Sequence, residues 1–175
     1  MARVALVDPQ NAPAEVQELY EHRLAGRPGN VHKAMAHQPR ALTAFLAFYA
    51  SVGRSLDRRL YELVYTRASY LNGCQYCLQH HLQSSKKVGL TDADWQGIKD
   101  PANAPFNASE KLVLTYVEKL TLKPGAIGDA DVAELKKVFT DAQVVDLHLL
   151  VGLANLTNRF THPLGLELEF QPLPV

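Results

Sequence analysis

Two cysteines are present in the chain, Cys74 and Cys77, and His81 follows four residues after the second. The reactive form of a thiol is its thiolate, which is favoured at a helix N-terminus by free N–H groups and the helix dipole. If residues 74–81 are helical, about 100° per residue puts Cys77 roughly 60° and His81 roughly 20° from Cys74, on one face. His80 falls roughly 120° away on another face. The spacing therefore selects His81 over its neighbour as the group that exchanges a proton with the thiols. A disulfide closing so short a loop would restrict the unfolded chain little, so the pair points to redox chemistry or to metal binding.

A histidine in that role needs a third group to fix its tautomer, and a carboxylate is the usual one. Glu62 cannot reach His81 by helical spacing; the Asn72-Gly73 break would have to fold two helices against each other. Other readings of the same residues stay open. Free cysteines often pack in helical cores. Zinc could take Cys74, Cys77 and His81 with Glu62 as a fourth ligand, although structural sites prefer a further Cys or His. Covalent haem attachment needs a histidine directly after the second cysteine, where the chain has Leu78. Tyr76 suits lining a site as well as covering a helix. Glu62 alone reads as a surface carboxylate.

Nearly every segment that must position these residues reads as helix. Candidates cover Pro13 to Ala25, Ala41 to Val52, Asp57 to Leu71 and Cys74 to Val88, each followed by Gly or Asn-Gly. Residues 26–30 read as loop, and His37-Gln38-Pro39 as a start. Thr91 caps a short helix running to about Lys99, and Asn107-Ala108-Ser109-Glu110 fits a capping pattern before Leu112, Val113, Tyr116, Val117 and Leu120. Asp131 to Phe139 is a short helix, and Thr140 caps a last long one to about Phe160, stopped by His162-Pro163. The tail beyond, with Pro172 and Pro174, is extended; its Leu166–Phe170 alternation is the one candidate strand and lies alone. The expectation is one all-α domain over 1–175, with helical hairpins at 39–89 and 107–160 as a weak internal echo.

The remaining histidines read otherwise. His22, His32 and His37 are expected at the surface, and His148 packed with a satisfied hydrogen bond. His162 suits a helix end. Asn158-Arg159 is expected to cap or pair at the end of the last helix, and Arg67 to pair with a neighbour.

Eighteen basic and eighteen acidic residues balance, without a Lys/Arg run, so nothing in the charge favours nucleic acid or an anionic membrane. The N-terminal stretch lacks the pattern of a cleaved signal, and no run approaches the roughly 18 apolar residues of a membrane span. A cytoplasmic location is the expectation.

The sequence also resembles a family. A Glu about twelve residues before Cys-x-x-Cys-x-x-x-His is the motif of AhpD-like alkylhydroperoxidases in the carboxymuconolactone decarboxylase superfamily. Glu62, Cys74, Cys77 and His81 match its four positions. The flanks Asp57-Arg58-Arg59-Leu60-Tyr61-Glu62-Leu63 and Leu71-Asn72-Gly73-Cys74 are similar too. So is Phe139-Thr140-Asp141-Ala142-Gln143-Val144-Val145-Asp146 leading to Asn155-Leu156-Thr157-Asn158-Arg159-Phe160, and the resemblance spans roughly residues 39 to 168.

The resemblance implies an AhpD-like helical fold and a homo-oligomer, trimer or hexamer. It implies a cysteine-dependent peroxidase or disulfide reductase needing no metal, flavin or haem. Glu62 would orient or deprotonate His81, which helps ionise Cys77 as the attacking thiol, with Cys74 resolving. The substrate would be a hydroperoxide or a protein disulfide. A lipoyl protein or small thiol would be the reductant, and a peroxiredoxin could accept electrons. One departure is Tyr76, where some members carry a second histidine; a phenol donates a hydrogen bond but is a poor base near neutral pH. A decarboxylase-like lyase is the rival within the superfamily, though such members usually lack the cysteine pair.

Overall fold

The computed structural model of the protein describes residues 1–173, which leaves Pro174 outside the described residues. Its helices are α1 (Ala14–Leu24), α2 (Asn30–Met35), α3 (Pro39–Ser51), α4 (Arg58–Leu71), α5 (Gln75–Lys87), α6 (Asp92–Gly97), α7 (Ala108–Leu122), α8 (Asp129–Lys136) and α9 (Asp141–Thr161). Among the described residues there is no strand, and Leu166–Phe170 runs as irregular chain. The all-α expectation therefore holds.

The capping residues do what their chemistry allows. Asp57 accepts from Leu60 N–H at 2.8 Å to start α4. Thr91, Asn107 and Thr140 each close a reciprocal capping box with the residue three positions on. Helix α2 is an addition: residues 26–30 and the following stretch read as loop and a later start. Six residues with Ala34 alone buried are too few to show a helical period.

Helix α4 is the axis of the fold. It packs against α5, α7 and α9, and all ten residues from Leu60 to Ser69 are buried. Leu63, Leu82, Ile98 and Leu114 are fully buried on the side of α5–α7, each contributing about 1.5–3 kcal/mol from removal from water. A second cluster joins α1, α3, α4 and α9 through residues such as Tyr20, Leu42, Val64 and Leu150. Polar side chains on a helix buried all round are costly unless paired. Among the described residues Thr66 Oγ1 and Arg67 Nε are left without a partner, while the other buried side-chain polar atoms of α4 find one. Arg67 donates to Ile98 O at 2.6 Å and pairs with Glu118, as expected of it, and Ser69 Oγ accepts from Asn158 Nδ2 at 3.0 Å. The remaining buried charge on α4, Glu62, belongs to the site.

Candidate active site

The turn after α4 decides where the cysteines sit. Gly73 has φ +66°, in the left-handed region that side chains resist, and follows the helix end. Its N–H donates to Tyr70 O and the next N–H, of Cys74, donates to Ser69 O, both at 3.0 Å. This double closure is a Schellman ending. It reverses the chain at once and makes Cys74 the N-cap of α5, with Cys77 N–H donating to Cys74 Sγ at 3.3 Å. Asn158 is buried and bridges into the turn, its Oδ1 accepting from Asn72 Nδ2 at 2.9 Å. It therefore braces the α4–α5 junction instead of capping α9. Arg159 does pair at the helix end, with Asn155.

Cys74 and Cys77 are joined as a disulfide. Cys74 is completely buried and Cys77 is 5% exposed. About one turn beyond Cys77, His81 Nδ1 meets Glu62 Oε2 at 2.7 Å, so the α4–α5 hairpin supplies the contact that helical spacing alone could not. Glu62 is 1% exposed, and its carboxylate also accepts from Ser84 Oγ at 2.9 Å and faces Arg58 at 3.6 Å. A carboxylate accepts, so Nδ1 carries the hydrogen and Nε2 is left to exchange a proton. The imidazole is further held by Tyr65, stacked on it with centroids 3.8 Å apart. Tyr65 is fixed in turn by a 2.5 Å hydrogen bond with Thr157.

A cavity of about 100 Å³ opens onto Cys77, His81, Tyr65, Thr157 and Thr161 on its inner side. Its outer side is made by Val31 and His32 of α2 and by Tyr76 and His80 of α5. The tail reaches back to this rim. Glu169 accepts from Tyr76 Oη at 2.7 Å, pairs with His80 Nε2 at 3.0 Å and receives the Asn30 N–H. Burial works against the Glu169 charge, yet these donors hold its carboxyl down to about 2. Burial, followed by the Glu169 bond, pushes the Tyr76 phenol above its ordinary range, so Tyr76 is a donor and no base. Burial lowers His32 to about 4, with Glu169 opposing and His80 assisting. Its Nδ1 accepts from Gly29 N–H at 3.1 Å, as a neutral ring must.

A larger apolar groove of about 770 Å³ lies beyond Phe45, lined by residues such as Met35, Phe48, Leu156 and Phe160. It touches neither cysteine, nor Glu62, nor His81, whereas the smaller cavity is lined by Cys77 and His81. Among the described residues no group of three or more His, Cys, Asp or Glu side chains is arranged to hold a metal ion, and no helix is long and apolar enough to cross a membrane.

Comparison with known proteins fits this geometry. The sequence profile of the carboxymuconolactone decarboxylase family matches residues 39–100, which span Glu62, both cysteines and His81. A peroxidase-related protein from Silicibacter sp. TM1040 superposes with a TM-score of 0.80 at 26% identity, over 96% of this chain and 92% of that one. The chain is thus similar to the carboxymuconolactone decarboxylase family over residues 39–100 and shares the helical fold of a peroxidase-related protein. A Ralstonia eutropha JMP134 protein described as an alkylhydroperoxidase AhpD core shares the fold, with a TM-score of 0.80 at 22% identity over 96% of this chain and 92% of that chain. Protein YdfG of Bacillus subtilis is 28% identical over 113 residues, 63% of this chain and 77% of its own length.

Within this chain the structure brings together Glu62, Cys74, Cys77 and His81, and Tyr76 lines the cavity. His80 also lines it, but on the rim, bonded to the tail and without Glu62. His32, expected at the surface, is instead a wall of the cavity, because α2 folds over α5. His148 is packed as expected, between Tyr116 Oη at 2.9 Å and Val144 O at 2.7 Å. Sequence reasoning passed over Tyr65, Ser84, Thr161 and Glu169. A signal for one existed: Thr157 and Thr161 lie four apart, two buried hydroxyls in line with Leu150 and Leu153 on α9.

Proposed function

We propose that the chain is a thiol-dependent peroxidase that reduces small hydroperoxides as its Cys74–Cys77 dithiol becomes a disulfide. The observation carrying this reading is the disulfide at the wall of a cavity it shares with His81, whose Nδ1 is tied to a buried carboxylate. Cys77 faces the cavity while Cys74 is buried behind it, which supports Cys77 as the attacking sulfur. In the first step the Cys77 thiolate attacks the nearer peroxide oxygen and the O–O bond breaks. Cys77 becomes a sulfenic acid, and the departing alkoxide takes a proton by way of His81 Nε2 and leaves as an alcohol. The Cys74 thiol then displaces water from the sulfenic acid, forming the disulfide. The sum is two thiols and one hydroperoxide giving one disulfide, one alcohol and one water.

A dithiol must restore the pair by exchange. The cavity of about 100 Å³ admits a slender group, such as a lipoyl arm or a small thiol, more readily than a folded protein's disulfide. That size also favours hydroperoxide over protein disulfide as oxidant. The test is loss of tert-butyl hydroperoxide in the presence of dithiothreitol. The wild-type chain is expected to accelerate the loss, and Cys77→Ser to fall to the protein-free rate. Equal rates for the two proteins would reject the reading.

A further inference from the structure

The two sulfurs share a neighbour that the reaction as written does not use. Thr161, the last residue of α9, has no exposed surface. Its Oγ1 lies 3.0 Å from Cys74 Sγ and 3.3 Å from Cys77 Sγ. A buried hydroxyl this close to a redox-active pair matters because it both donates and accepts.

With the disulfide closed, the hydroxyl hydrogen points elsewhere: Thr161 Oγ1 donates to Thr157 O at 2.9 Å. That is the expected choice, since a backbone carbonyl accepts better than a neutral sulfur. A thiolate reverses the order, because hydrogen bonds to an ionised acceptor are the stronger ones. Turning the hydrogen about the Cβ–Oγ bond moves no heavy atom. The Thr157 carbonyl is not stranded by the change, for the helical register aims the Thr161 N–H at it. The two cysteines also differ in what else reaches them. Cys74 Sγ already accepts from the Cys77 N–H at 3.3 Å, whereas Thr161 is the hydroxyl against Cys77 Sγ.

We propose that Thr161 donates the hydrogen bond that stabilises the Cys77 thiolate of the reduced pair, its hydroxyl turning from the Thr157 carbonyl to sulfur when the disulfide opens. The inference rests on the dithiol–disulfide reading above. In the reduced form the Cys74 thiol donates to Thr161 Oγ1, so one hydroxyl links the resolving thiol to the attacking thiolate.

The experiment is the pH dependence of iodoacetamide labelling at Cys77 in the reduced protein, located by peptide mass. Thr161→Val keeps the buried volume and removes the hydroxyl, and Thr161→Ser keeps the hydroxyl. Thr161→Ala is read alongside as a second deletion that cannot overpack the site, with circular dichroism to select folded variants. The expected result is a midpoint raised by roughly one pH unit in the Val and Ala variants, hence about tenfold slower labelling at neutral pH, with Ser close to wild type. Unchanged midpoints in the deletions beside a reactive wild-type Cys77 would overturn the role of Thr161 and leave the redox reading standing. A wild-type Cys77 that labels like an ordinary free thiol would overturn both.

Discussion

The inner wall of the cavity and its outer rim are built by different means. On the inner wall sit Cys77, His81 and Thr161, with Glu62 and Cys74 directly behind it, all carried by α4, α5 and α9 or the cap of α5 and each 6% exposed or less. Their partners are fixed by helix packing and by a left-handed glycine turn. On the rim, Tyr76 and His80 are held by one carboxylate from an irregular tail, Glu169, which also receives the Asn30 N–H at the start of the helix that carries His32. Packed helices rearrange only with the core, whereas a tail tied by a few polar contacts opens locally at far lower cost. The inner wall is therefore suited to chemistry and the rim to access.

Substitutions at the adjacent histidines should separate the two regions most sharply. His81→Ala is expected to slow hydroperoxide reduction by about 10²–10⁴-fold, the usual worth of a positioned acid–base group. His80→Ala should leave the chemical step nearly unchanged and alter mainly the concentration of substrate needed. Single-turnover kinetics at saturating peroxide would decide, and equal losses in the two variants would erase the distinction between wall and rim.

A smaller effect is expected from the tail contact. Tyr76→Phe removes the phenol that Glu169 and the Val31 N–H share. It should cost about 1 kcal/mol in urea unfolding and expose the tail to limited proteolysis, with the chemical step intact. A chemical step slowed as much as in His81→Ala would move Tyr76 onto the catalytic side.

Acid stability is expected to change as well, and its sign follows from the rim groups. His32 titrates at about 4 in the folded chain against 6.5 ordinarily. The unfolded chain therefore binds the extra proton first as pH falls. Stability from the neutral ring is complete above about 6.5 and is lost toward pH 4. Glu169, held at about 2 against 4.5, contributes stability complete above about 4.5 and lost toward pH 2. Melting temperatures should fall between pH 7 and 4, and His32→Gln, which keeps an acceptor for Gly29 N–H, should flatten that fall. An identical decline in the variant would remove His32 from the explanation.

The same contrast explains what the sequence disclosed. Cys74, Cys77 and His81 share one helix, so a local period was enough to group them and to prefer His81. Glu62 lies nineteen residues from its histidine, across one turn marked by Asn72-Gly73, and the family motif supplied what spacing could not. The helices were legible for the same reason, since caps such as Asp57 and Thr140 act within three residues. The rim was illegible because its bonds join residues far apart in the chain, with Glu169 reaching Tyr76 across 93 positions and Asn30 across 139. Thr161 meets the sulfurs across 87 and 84 positions, again a product of how α9 packs on α5.

The proposed chemistry turns on Cys74 and Cys77 forming a working, reversible pair. It is tested most directly by counting thiols and recording intact mass of the fully reduced protein before and after one equivalent of hydroperoxide. Both thiols and about two mass units should be lost and restored by dithiothreitol, with Cys74→Ser stopping at a sulfenic acid about sixteen mass units heavier. Two thiols that persist with unchanged mass, while the peroxide remains unconsumed, would contradict it.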